Sequence, residues 1–86
     1  MAVEAPEIRK AIIGVLEALV DGDELDNLKD DVPFREQLEL DSMDMLDVVL
    51  GLRKLYSLPI PEADYPQLQT MNSTIEYLLP LLNKQD

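Results

Sequence analysis

From Pro6 to Val20, apolar side chains at Ile8, Ala11, Ile12, Val15, Leu16 and Leu19 return every three or four positions. That spacing places them on one face of a first helix. Asp21, Gly22 and Asp23 then carry turn chemistry, and the stretch to Asp41 is acidic and interrupted by Pro33. Its apolar residues, Leu25, Leu28, Val32, Phe34 and Leu38, predict a long loop pinned to the core rather than a helix. A second helix starts after Asp41, whose carboxylate is placed to accept a backbone N–H, and Tyr56, Ser57 and Pro59 mark its end. Prolines 59, 61 and 66 restrict a third helix to about a turn or two. The last helix begins at Thr70, or at Ser73 with Glu76 reaching back, and runs through Ile75, Leu78 and Leu79. Leu82 is a candidate for its far end, and Pro80 is expected to kink or end it.

The second helix carries more apolar residues than one buried face needs. At about 100° per residue, Met45, Leu46, Val48, Val49, Leu52 and Leu55 spread over the side expected to face the bundle. Met43, Asp47, Leu50 and Lys54 line up on the opposite side, with Asp44 and Gly51 beside them. Scattered apolar surface residues are ordinary. Two apolar knobs framed by carboxylates also describe a docking face, with desolvation from Met43 and Leu50 and orientation from Asp44 and Asp47.

Length and composition narrow the architecture. A chain of 86 residues with 5% aromatic content suits one aliphatic-cored domain spanning residues 1–86. The expectation is an all-α, small four-helix bundle of three longer helices and one short one, with a long loop between the first two. A formal charge of −11 disfavours DNA, RNA and anionic membranes and favours cationic protein surfaces. There is no cysteine, hence no disulfide framework or thiol of its own. Neither a signal peptide nor a membrane-spanning stretch is visible, so a monomer in the cytoplasm is expected. The termini read as the free ends of a discrete protein.

The candidate chemistry centres on "LDSMDML", residues 40–46. Ser42 is an ordinary residue for the first turn of a helix. As a nucleophile it has no base, because the chain contains no histidine. The inventory also lacks a Gly-rich phosphate loop, which argues against an enzyme. "DGDELDNLKDDV" fails as a calcium loop: opened at Asp21, it puts Leu25, Asp26 and Val32 where a ligand, a glycine and a glutamate belong.

The stretch LELDSMDMLDVV, residues 38–49, resembles the attachment motif of the acyl carrier protein family, and the order and spacing of all four helices is similar too. The resemblance implies that Ser42, preceded by its motif neighbour Asp41, receives 4′-phosphopantetheine from coenzyme A. A separate, magnesium-using phosphopantetheinyl transferase supplies the missing base. The arm brings the absent thiol, which carries acyl groups for fatty-acid, polyketide or specialised lipid synthesis.

By the same resemblance, Met43, Asp44, Asp47, Leu50 and Lys54 form the face read by partners. These are acyl-transferring, condensing or acyl-activating enzymes with basic patches. Leu46, Val49, Ile60, Leu68 and Ile75 are expected to line an acyl pocket. Two positions depart from the family pattern. Glu39 stands where glycine is usual, which implies a different backbone path into Ser42. Arg53 and Lys54 stand where acids are common, which implies a specialised enzyme set. The competing reading is an acidic helical interaction module whose serine is never modified.

Overall fold

Ile8, Ile12 and Leu16 sit one helical turn apart, and none has any exposed surface. They are the buried face of α1 (Ala5–Leu16) in a computed structural model that describes residues 3–83. Five further helical segments follow: α2 (Gly22–Leu25), α3 (Phe34–Gln37), α4 (Ser42–Tyr56), a 3-10 helix (Glu62–Leu68) and α5 (Met71–Asn83). The described residues are all-α. The three long helices with the short 3-10 helix make up the expected bundle, in which α1 packs on both α4 and α5, and α5 also packs on the 3-10 helix.

Regular helix in α1 stops at Leu16, short of Val20, and residues 17–20 form turns. Leu19 N–H donates to the Leu16 carbonyl at 2.9 Å and Val20 N–H to the same oxygen at 3.0 Å. The last turn of α1 holds no basic residue, and Glu17 follows at the negative end of the helix dipole, which disfavours extension.

The long connection is not a bare loop, because it contains the single turns α2 and α3. Leu25, Leu28, Phe34 and Leu38 are buried, as the apolar spacing led one to expect. Polar side chains supply the rest of its order. The Gln37 side chain accepts from Lys29 N–H and donates to the Lys29 and Val32 carbonyls, each at 2.8 Å. Arg9 on α1 pairs with Asp30 at 3.1 Å. Phe34 N–H donates to the Gln69 carbonyl at 2.8 Å and Asn72 N–H to the Asp30 carbonyl at 3.0 Å, tying the connection to the start of α5.

Glu39 follows the last turn of α3 with φ at 53°, in the left-handed region that favours glycine. Leu40 N–H closes that turn by donating to the Arg35 carbonyl at 3.1 Å. The glutamate therefore takes the conformation a glycine there would take, and no separate path into Ser42 is needed. Burial on both sides enforces this, since Leu38 and Leu40 are both in the core and the chain must reverse between them.

α5 is capped by Thr70 rather than Ser73: Thr70 Oγ1 accepts Ser73 N–H at 3.0 Å. Ser73 Oγ reciprocates on Thr70 N–H at 3.2 Å. The helix continues through Pro80 to Asn83, so the proline does not end it. Pro80 is on the exposed face, where water can replace the lost helix bond. Leu79, Leu81 and Leu82 pack on the core, and Asn83 Oδ1 accepts Val3 N–H at 2.7 Å. These contacts hold the final turn in place.

Two close contacts set the helix spacing. A Cβ at Gly51 would lie 2.8 Å from Val15 Cγ1, so α4 meets α1 where only a hydrogen fits. The Tyr77 hydroxyl donates to Asp64 Oδ2 at 2.7 Å, fastening the 3-10 helix to α5. Burial, and secondly the bond to Asp64, push the Tyr77 pKa from 10.0 up to about 12.

Two measurements follow from these strained and buried positions. Glu39→Gly should raise stability in urea unfolding by about 1 kcal/mol, the left-handed cost outweighing the added chain entropy. A phenol whose folded pKa is raised stabilises the fold fully below the unfolded value and loses that contribution as pH climbs through the folded value. Stability should thus decline between pH 10.0 and about 12, and Tyr77→Phe should flatten that decline in pH-dependent urea melts.

Candidate functional site: the start and outer face of α4

Asp41 is extended, with φ −94° and ψ −177°, and its side chain ends the loop by capping α4. Asp41 Oδ1 accepts Asp44 N–H at 2.8 Å, and Asp44 Oδ2 accepts Asp41 N–H at 3.3 Å. The two carboxylates thus satisfy each other's backbone donors in a reciprocal box. Ser42 is the first helical residue. It is exposed, and no hydrogen bond to its hydroxyl occurs among the described residues. The oxygen is presented on a rigid helix end and remains free for chemistry.

The helix end also offers backbone donors. The first N–H groups of a helix have no partner within it and carry partial positive charge. At α4 the cap occupies Asp44 N–H, while Met45 N–H donates to the Asp41 carbonyl at 3.0 Å. The Ser42 and Met43 amides remain beside the hydroxyl, where they favour an anion.

The outer face differs from expectation in extent. Met43 and Leu50 are exposed, 73% and 42%, but so are Leu46 at 43% and Leu55 at 52%. Leu46 and Leu55 were both expected to face the bundle. The buried stripe of α4 is narrow: Val48, Val49 and Leu52 are buried, with Met45 and Tyr56 packed partly against the core. Leu46 projects about 110° from the centre of that stripe, beyond the reach of α1. Leu55 instead edges a shallow groove with Ala11 and Val15 of α1.

Met43, Leu46 and Leu50 therefore form one exposed ridge running away from Ser42. Their spacing of three and four was visible in the chain, and only the width of the buried face was misjudged. Asp47 and Lys54 lie exposed beside the ridge, and Asp44 is half-buried in the cap. Of the proposed acyl-pocket residues, Val49, Ile60 and Leu68 are in the core and Ile75 packs against it, whereas Leu46 does not.

An exposed serine on a capped helix end, inside an acidic helical bundle, is the setting of a carrier domain. The family profile described as the phosphopantetheine attachment site matches residues 6–78, and the chain belongs to that family, the acyl carrier proteins. Among relatives, it is similar to the mitochondrial acyl carrier protein of Neurospora crassa, 32% identical over 62% of this chain and 40% of that protein. The acyl carrier protein of Lactobacillus johnsonii is 32% identical over 62% of this chain and 66% of its own length. That of Rubrobacter xylanophilus is 28% identical over 54% and 57%. The matched stretch thus spans 40–66% of the length of these relatives.

The family is defined by attachment of phosphopantetheine. No described helix is long and apolar enough to cross a membrane.

Removing the cap tests how the site is held. Asp41→Ala should lower stability by about 1 kcal/mol, and Asp41→Asn by distinctly less, since the amide oxygen still caps. Urea unfolding followed by far-UV circular dichroism measures both.

Proposed function

We propose that Ser42 is the position to which 4′-phosphopantetheine is attached, and that the chain, as a single carrier domain, shuttles acyl groups between enzymes. The observation that carries this reading is the free, exposed hydroxyl on the capped end of α4, inside the stretch matched by the family profile. In the loading step the Ser42 oxygen forms a bond to the pantetheine-side phosphorus of coenzyme A. The P–O bond to the nucleotide half breaks, adenosine 3′,5′-bisphosphate leaves, and the hydroxyl proton passes to a base on the magnesium-using transferase.

This chain's own residues position the reaction and do not perform it. Asp41 and Asp44 hold the helix end rigid, so Ser42 is offered with little loss of freedom on docking. The Ser42 and Met43 amides, which have no hydrogen-bond partner among the described residues, would be available to a phosphodiester at Ser42. When bound, the group supplies a thiol, on which acyl cargo rides as a thioester. Val49, Ile60, Leu68 and Ile75 are the residues that part to shelter an acyl chain, each methylene removed from water contributing about 0.8 kcal/mol.

Partner enzymes read Met43, Asp44, Asp47, Leu50 and Lys54, now joined by Leu46. The proposed partners are the transferase and a set of acyl-transferring, condensing or acyl-activating enzymes with basic patches. The opposite charges of Asp47 and Arg53–Lys54 on one face favour a dedicated set in a fatty-acid, polyketide or specialised lipid pathway. The carrier is proposed to work as a monomer in the cytoplasm.

Intact-mass spectrometry after incubation with coenzyme A and a broad-specificity phosphopantetheinyl transferase tests the assignment. The wild type should gain one phosphopantetheine and Ser42→Ala none. An unmodified wild type, despite loading of a control carrier in the same mixture, identifies the chain as an interaction module instead.

A further inference from the structure

The C-terminal half of α4 carries a feature that loading of Ser42 does not use. Arg53 and Lys54 are adjacent and both exposed. Among the described residues neither has a carboxylate within ion-pair distance, whereas Arg9 is engaged by Asp30 at 3.1 Å. At about 100° per residue the two cations diverge to either side of a line through Leu50 and Ser57. A shallow surface groove lies along that line, lined by Leu50, Arg53, Lys54, Ser57, Leu58 and Pro59, with Asp47 toward its other end.

We propose that this groove is a specificity pocket for an acidic side chain, Asp or Glu, on a partner protein, carried beside an apolar side chain that covers Leu50. The proposal rests on the carrier reading and adds the chemistry of the partner. Charge complementarity selects this occupant. The chain as a whole carries −11, which repels a polyanion such as nucleic acid or an anionic membrane at long range. Screening over about 8 Å at physiological salt leaves contact pairs largely intact. A single carboxylate between two unpaired cations is therefore attracted where an extended anionic surface is not.

Basic residues in a last turn also offset the helix dipole, and both cations stand in the last turn of α4. The dipole does not explain the groove between the two, edged by exposed Leu50. Asp47 gives the pocket polarity. A partner seated here meets acids near Ser42 and bases near Ser57, so it presents a base, an apolar side chain and an acid in that order along α4. Docking in the reverse direction opposes like charges.

The test uses the ¹⁵N-labelled protein and three soluble helical peptides identical except at two positions next to a central Leu, which are Glu, Gln or Lys. Peptide binding does not require a modified Ser42, so failure here is separable from failure of the loading assay. At physiological salt the Glu peptide should shift the amides of Leu50, Arg53, Lys54, Ser57 and Leu58, with the Gln peptide about threefold weaker. Arg53→Gln/Lys54→Gln should abolish that preference, and Arg53→Glu/Lys54→Glu should turn it toward the Lys peptide. Circular dichroism melts confirm that each variant is folded. A role confined to the helix dipole moves only the melting temperature. Equal binding of Glu and Gln peptides, a preference that survives both double variants, or Arg53- and Lys54-dependent binding to phosphatidylglycerol vesicles overturns the proposal.

Discussion

The reciprocal hydrogen bonds between Asp41 and Asp44 decide where α4 begins, and the site depends on that boundary. With Asp44 N–H held at 2.8 Å by Asp41, Ser42 is the first helical residue and is exposed. A start one residue later would make Ser42 the capping residue and lose the Asp41–Asp44 box. The approach to the cap is equally constrained, because Leu38 and Leu40 are both buried and the chain turns between them through the left-handed Glu39.

Behind this boundary lies a division of labour between the two sides of α4. Its inner stripe of Val48, Val49 and Leu52 joins the core, and Gly51 brings its backbone against Val15 of α1. The outer side keeps Met43, Leu46, Leu50 and Leu55 in water. A small exposed ridge of this kind offers desolvation energy to a transient contact without forming a permanent interface.

Stability away from α4 comes from contacts that are modest singly and distributed along the chain. Gln37 closes the connection, Arg9 and Asp30 pin it to α1, and Tyr77 holds the 3-10 helix through Asp64. Asn83 joins the last turn of α5 to Val3. An aliphatic core with these polar ties keeps Leu68 and Met71 without exposed surface, although 3-10 geometry contributes poorer hydrogen bonds than an α-helix.

Periodicity and capping chemistry were legible in the chain. The three- and four-residue spacing located α1, α4 and α5, the Asp41–Ser42–Asp44 triplet located the start of α4, and the prolines limited the third helix. These signals are local, carried by residues within one turn of each other, so no knowledge of neighbours is needed to read them. Helix extent and burial are set by neighbours. Pro80 stays inside α5 because distant Val3 and the core hold the turn beyond it. Leu46 and Leu55 face water because α1 covers only a narrow stripe of α4. Gln37 and Arg9 order the connection through partners 5 to 21 residues away. The motif placed Ser42 at a helix start, and only packing decided which leucines of α4 lie in water and which join the core.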